Sequence, residues 1–372
     1  MKRIGIITMH KPISYGSALQ SYALQKKIED FGYEVELIDY RYPNELHYTK
    51  DGSIKGCIRS VISFVINMLW GFPNIKKRKK FDIFYNKFYK TSAYYPTAES
   101  LKENPPIYDL YITGSDQVWN PKFIKQDSSF LLSFVSDDKP KISYASSFAT
   151  TVIPEGALSM YKENLSRYQA ITVRESSGVT LVKELIGRDA KHVCDPTLLL
   201  SKEEWESISE LSEYKIGEEP YILVFMLCYS FNPYPQARNV IHQIQKTLGI
   251  RTIYLDGQKH DLFEPNSKIV KSAGPLDFIK LIKNAQYVIT DSFHGTIFSN
   301  IFNKPFTAIV KSGNVDSRIV SLLKEIGNEE CAVTYDAKQV FLNKMNQEYD
   351  EKLRLLSNES SQVLKYLLDK SM

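Results

Sequence analysis

Residues 286–299 form the run best equipped to do chemistry in this chain. A short apolar, β-rich segment from Tyr287 to Thr290 ends in Asp291 and Ser292. Phe293, His294, Gly295 and Thr296 then lead into a helical pattern. A strand that passes into a helix through a small polar turn leaves backbone N–H groups exposed at the helix start, where phosphate or carboxylate is attracted. A histidine at that position can move a proton near neutral pH. An ordinary corner, with Ser292 as helix cap and His294 held in a side-chain hydrogen bond, has the same local sequence.

Other chemistry-bearing groups fall at similar corners. Gly114, Ser115, Asp116, Gln117, Trp119 and Asn120 cluster behind an apolar segment at 108–113. A carboxylate and amides beside an indole suit sugar hydroxyls and ring faces, although an Asx-type turn with Trp119 in the core would read identically. Tyr15, Gly16 and Gln20 sit at the first strand-to-helix corner, read as a tight turn where glycine allows close backbone approach. The corner lacks the Gly-x-Gly-x-x-Gly spacing of a dinucleotide site. Arg174 ends a strand and could grip carboxylate or phosphate bidentately, or pair with Glu175. Arg318, after Lys311-Ser312-Gly313, could serve the same purpose. Asp195 precedes Pro196 at a connector, as a base or a hinge residue. His10, His47, His192, His242 and His260 show no metal-ligand spacing and read as structural or surface residues, so no catalytic metal is expected.

The elements that position these groups alternate strand and helix. Residues 3–8 and 35–40 read as strands around a helix at 19–31, a βαβ unit that is parallel and right-handed. Residues 54–90 read as a helical insertion. Strands follow at 108–113, 141–148, 170–173 and 190–194. A break near 195–220 separates a second series, with strands at 221–227, 252–255, 287–290 and 305–310 and helices at 236–248, 276–283 and 317–326. The last thirty residues have helical period and read as a packing helix. The pattern predicts an α/β fold of two doubly wound domains facing across a cleft, 1–200 and 201–372, with ligands at the carboxyl ends of the strands.

Composition narrows the function. A net charge of +4 over 372 residues, without a recognised binding motif, argues against nucleic acid as a partner. Twenty-four tyrosines lean slightly towards a carbohydrate ligand. Cys57, Cys194, Cys228 and Cys331 stand far apart, which suits a reducing compartment. The N-terminus reads as a first strand and not a signal peptide, so a cytoplasmic location is expected. Residues 57–80 carry an apolar stretch and then Lys76-Lys77-Arg78-Lys79-Lys80. Such a segment could lie peripherally on the inner, anionic face of a membrane, or could be a core helix followed by a charged turn.

Taken together, six segments resemble the polysaccharide pyruvyl transferase family, in the family's order: 15–20, 114–120, 143–148, 173–175, 195–199 and 291–295. The resemblance implies a GT-B-like fold of two Rossmann-like domains, with acceptor binding in the first and donor binding in the second. It implies transfer of a pyruvyl group from phosphoenolpyruvate to sugar hydroxyls as a ketal, in capsule, exopolysaccharide or cell-envelope glycan synthesis. The acceptor would be a sugar or lipid-linked oligosaccharide, and no cofactor is needed beyond the donor substrate. The family's catalytic histidine falls on His294 and its donor-binding arginine on Arg174. Asp116, with Ser115, Gln117 and Asn120, would hold or deprotonate the acceptor. Asp291, Ser292, Gly295 and Thr296 would lie at the donor. Some members carry an arginine where this chain has Ser292, and Arg318 or Lys311 could compensate. Two alternatives stay open: a glycosyltransferase of the same architecture using a nucleotide sugar, and a non-catalytic glycan-binding assembly subunit.

Overall fold

The computed structural model describes residues 2–40, 73–229, 231–257, 265–313, 318–343 and 347–372. They form two compact α/β units. The first comprises the described residues of Met1–His47, Tyr85–Leu200 and Arg354–Met372, and the second those of Tyr48–Phe84 and Ser201–Leu353.

The first unit is built on a five-stranded sheet in the order β3-β2-β1-β4-β5. Its strands are β1 (Arg3–Ile7), β2 (Glu34–Tyr40), β3 (Thr91–Tyr95), β4 (Leu110–Thr113) and β5 (Lys141–Ser143). Single bridges from Ile142 to Ala170 and from Ser146 to Val173 lead on to a small pair, β6 (Thr172–Val173) and β7 (Lys191–His192). The second unit has the order β10-β9-β8-β11-β12-β13. Here β8 is Tyr221–Phe225, β9 Arg251–Leu255, β10 Ser267–Val270, β11 Tyr287–Thr290, β12 Phe306–Val310 and β13 Ala332–Thr334. Among the described residues the strand pairings are parallel. Strands β8 and β12 are buried along their whole length, as continuous apolar runs in a parallel sheet should be. In each sheet the strand order reverses at one place: between β1 and β4 in the first, between β8 and β11 in the second. Those are the points where open α/β sheets bind ligands.

Helix α1 (Tyr15–Asp30) follows β1. Its first turn contains Tyr15, Gly16 and Ser17, which the sequence suggested as a turn before a helix at 19. The helix begins earlier because Ser14 is an N-cap whose hydroxyl accepts the Ser17 N–H. Helix α2 (Pro73–Phe88) is the described part of the expected insertion, and β3 follows it as an edge strand. The apolar segment 57–72 lies outside the described residues. Within α2, Lys77 pairs with Asp256 at 2.5 Å and Lys80 with Asp277 at 2.7 Å, while Lys76 and Lys79 are exposed. Among the described residues no helix is long and apolar enough to cross a membrane. The second unit also carries α3 (Phe293–Ile301) and α4 (Arg318–Ile326).

The terminal helix α5 (Gln347–Ser371) departs from the sequence reading, which assigned it to the second domain. From Arg354 onward it belongs to the first unit. Ser360 accepts the Cys194 N–H at 2.9 Å, Ser357 donates to the Leu198 carbonyl at 2.5 Å, and Leu364 and Leu368 are fully buried. These pairings span more than 150 residues of sequence, so helical period alone could not announce them.

Candidate functional site

In the second unit, β8 and β11 run side by side and Phe225 pairs with Thr290, so the ends of both strands meet. Asp291 is the first residue beyond β11. One carboxylate oxygen accepts the Leu227 N–H at 2.6 Å and the other accepts the Cys228 N–H at 2.8 Å. Cys228 has a φ of +52°, and the carboxylate holds that turn in shape. Burial pushes the Asp291 carboxyl above its usual range, against backbone N–H groups that pull it down. Asp291 therefore works as the clamp of the β8 turn.

Ser292 caps α3, its hydroxyl accepting the Gly295 N–H at 3.2 Å. The capping reading of the sequence holds for Ser292. His294 lies in the first turn of α3, half-buried, its ring edge-on to Phe293 with centroids 5.4 Å apart. The Arg318 guanidinium, at the start of α4, stands over the same Phe293 ring at 5.6 Å. Phe293 thus gathers an imidazole and a guanidinium at the point where the sheet's strand order reverses. Lys311, exposed, follows β12 on the neighbouring strand. Thr296 is buried, its hydroxyl donating to the Ser292 carbonyl, so it secures the helix start from inside.

Gly295 is fixed by packing. A Cβ at this position would fall 2.4 Å from Thr290 Oγ1, an oxygen already held by the Phe225 carbonyl and the Ser292 N–H. Gly295→Ala should lower unfolding stability by about 1–3 kcal/mol through overpacking, measured in a urea titration. A variant as stable as the parent would show that Thr290 can move aside.

In the first unit, Ile7 pairs with Thr113, and the ends of β1 and β4 are stitched by Thr8 Oγ1 donating to the Ser115 carbonyl at 2.8 Å. Asp116 stands just beyond, with a φ of +75°. One of its oxygens accepts the Ser17 hydroxyl from the first turn of α1 at 2.5 Å, and the other accepts the Gln117 N–H at 2.8 Å. Gln20 is fully buried and spends its amide N–H groups on Thr8 Oγ1, the Ser17 carbonyl and Ser21 Oγ. Tyr15 and Gly16 are buried in the same helix start. Asn120 caps the short helix Pro121–Ile124 and donates to the Gln117 side chain at 2.9 Å. Trp119 is no sugar platform. It is fully buried, donates to the Phe130 carbonyl, and packs on Phe148 and Tyr168.

Arg174 turns out to be an interior residue, its side chain 1% exposed. Nη1 donates to Asp195 at 2.9 Å and to the Ser115 hydroxyl at 3.5 Å, and Nε lies 3.5 Å from Glu175. Burial alone would lower its pKa, but Glu175, Asp195 and Asp116 together raise it. Asp195 also caps the turn at Pro196–Leu199 through the Thr197 N–H and hydroxyl. The guanidinium thereby ties the β4 loop, through Ser115, to the turn at residues 195–199.

The fold thus collects the sequence candidates into two groups. Gln20, Ser115, Asp116 and Arg174 gather in the first unit, where Ser17 joins them; Asp291, Ser292, His294, Gly295 and Arg318 gather in the second, where Phe293 joins them. His10, read from the sequence as structural or surface, is buried at the carboxyl ends of β1 and β2, its ring paired with Asp39, which also holds Lys11.

Comparison with known proteins adds three findings. The family described as polysaccharide pyruvyl transferase matches residues 15–312. No match was found among curated proteins. Among solved structures, the UDP-GlcNAc 2-epimerase of Methanocaldococcus jannaschii, in complex with UDP-GlcNAc and UDP, is 13% identical. It aligns over 100% of both chains with a TM-score of 0.52. A Listeria monocytogenes protein described as a UDP-N-acetylglucosamine 2-epimerase is 10% identical, covering 98% of this chain and 90% of its own, at a TM-score of 0.53. The glycotransferase of kitacinnamycin is 10% identical over 100% of this chain and 99% of its own, at 0.50. At such identities the likeness is one of fold, an α/β fold of GT-B type.

Proposed function

The chain belongs to the polysaccharide pyruvyl transferase family, and from that premise we propose that it transfers a pyruvyl group from phosphoenolpyruvate to a glycan as a ketal. The product would serve capsule, exopolysaccharide or another envelope glycan. The observation that carries the reading is the placement of His294 in the first turn of α3, beside Arg318 on a shared Phe293 ring.

Phosphoenolpyruvate carries a carboxylate and a phosphate on an enol carbon, so it needs cations, oriented N–H groups and a proton donor. The start of α3 supplies N–H groups, Arg318 and Lys311 supply positive charge, and His294 gives or relays the proton. The methylene carbon of the donor takes that proton, and the central carbon becomes oxocarbenium-like. One sugar oxygen bonds to this carbon and loses its proton, the carbon–oxygen bond to phosphate breaks, and the second sugar oxygen takes the vacated position while its proton leaves with phosphate. Asp116, already holding the Ser17 hydroxyl in the first unit, is the carboxylate assigned to the acceptor sugar. Arg174 acts at one remove by fixing Ser115 and Asp195 behind that loop.

The test is glycan-dependent release of phosphate from phosphoenolpyruvate by the full chain, with a panel of nitrophenyl and lipid-linked glycosides. Turnover of UDP-sugars with no response to phosphoenolpyruvate would replace this reading with a nucleotide-sugar transferase.

A further inference from the structure

The basic run at 76–80 has no part in the chemistry above. The sequence left it between a charged turn and a membrane-facing segment. In the structure it lies inside α2, where helical geometry sorts its side chains by direction. Lys77 and Lys80 turn inward. Lys77 pairs with Asp256 at 2.5 Å and stands 6.0 Å from the centre of the fully buried Phe81 ring, and Lys80 pairs with Asp277 at 2.7 Å. These contacts fasten the helix to the second unit and fix which side it turns to solvent.

Ile75, Lys79 and Ile83 follow one another at i, i+4 and i+8, in one row along that outer side. The two isoleucines are 64% and 51% exposed. Lys76 flanks the row on one side, Arg78 and Asp82 on the other, and all three are exposed. Three cations thus face outward against one acid. Lys268, exposed on the edge strand β10, carries the positive surface on: its ammonium lies 5.5 Å from the centre of the Tyr214 ring, and that of Lys80 lies 5.8 Å from the same ring.

The pairing of outward cations with outward isoleucines selects the kind of partner. Nucleic acid would meet the cations with its phosphates and leave the isoleucines in water. An anionic phospholipid surface takes both, phosphates against the cations and the acyl boundary against the apolar side chains. Asp256 and Asp277 neutralise the two inward lysines, so the charge offered to a partner is the outward set alone.

We propose that the outer face of α2 docks on an anionic phospholipid bilayer, with Lys76, Arg78 and Lys79 at the headgroups and Ile75 and Ile83 entering the boundary beneath them. This goes beyond the transfer reaction and does not depend on it. The test is co-sedimentation of the full chain with vesicles of phosphatidylglycerol and phosphatidylcholine, against vesicles of phosphatidylcholine alone and against duplex DNA. Wild type should bind the mixed vesicles, less so as salt rises, and should bind neither of the others as tightly. Lys76→Gln together with Lys79→Gln should weaken binding about thirtyfold, at about fivefold for each cation near the surface. Lys102→Gln with Lys162→Gln removes the same charge from exposed sites on the first unit and should change binding by less than about twofold. Ile75→Ser with Ile83→Ser keeps every charge and should still weaken binding about tenfold. An equal loss in the two lysine pairs would overturn the proposal in favour of diffuse attraction by a positive chain. Undiminished binding in the isoleucine variant, or tighter binding to DNA than to the mixed vesicles, would overturn it in favour of a general polyanion surface. Phosphate release with a soluble glycoside should be unchanged in the Lys76 and Lys79 variant, and a chain inactive towards phosphoenolpyruvate would leave the vesicle result standing.

Discussion

His294→Ala should lower glycan-dependent phosphate release from phosphoenolpyruvate by about two to four orders of magnitude, the usual contribution of a positioned acid or base. The fold should survive. The α3 cap is made by Ser292 and Gly295, the packing against β11 by Gly295 and Thr290, and the half-buried imidazole takes part in neither. Thermal unfolding of the variant should therefore overlay that of wild type while turnover is lost. Near-normal activity would remove His294 from the chemistry. A large loss of stability would make it a structural residue of the α3 start.

Arg174→Ala should behave in the opposite way. It removes the cation from beside Asp195, whose side chain is fully buried, and from beside Glu175. Breaking a buried pair from one side leaves an uncompensated charge, so the expected cost is about 3–5 kcal/mol in a urea titration. Arg174→Lys keeps the charge but cannot reach Asp195 and Glu175 through separate nitrogens, and should recover part of the loss. This outcome separates two roles for the residue. An arginine that grips the donor would, when removed, raise the KM for phosphoenolpyruvate and leave the fold intact. An arginine that organises the Ser115 loop would lower stability first. A variant as stable as wild type with a raised KM would return Arg174 to the donor.

Several features were legible because their signals are local. The strand at 287–290 was readable from four residues that favour β structure, and the helix after it from Ser292 as a cap. The break beyond Asp195 was readable from Pro196 and the restart at Tyr221. Edge strands β3, β10 and β13 were not. Each is short and only partly buried, so neither a long apolar run nor a clean alternation marks it. Trp119 shows the limit for side chains. Its neighbours allowed a sugar platform or a core indole, and the Phe130 carbonyl with Phe148 and Tyr168 made it core.

By itself the sequence determined the α/β alternation, the two successive sheets and the corners that carry His294, Asp116 and Arg174. Each follows from periodicity, capping and chain-breaking residues within a few positions of one another. Only the tertiary structure decided what those corners hold. It gave Arg174 to Asp195, Asp291 to the β8 turn, Asp39 to His10 and Lys11, and the end of α5 to the first unit. Such pairings join residues tens to hundreds of positions apart, and they form only when parallel strands bring distant carboxyl ends side by side.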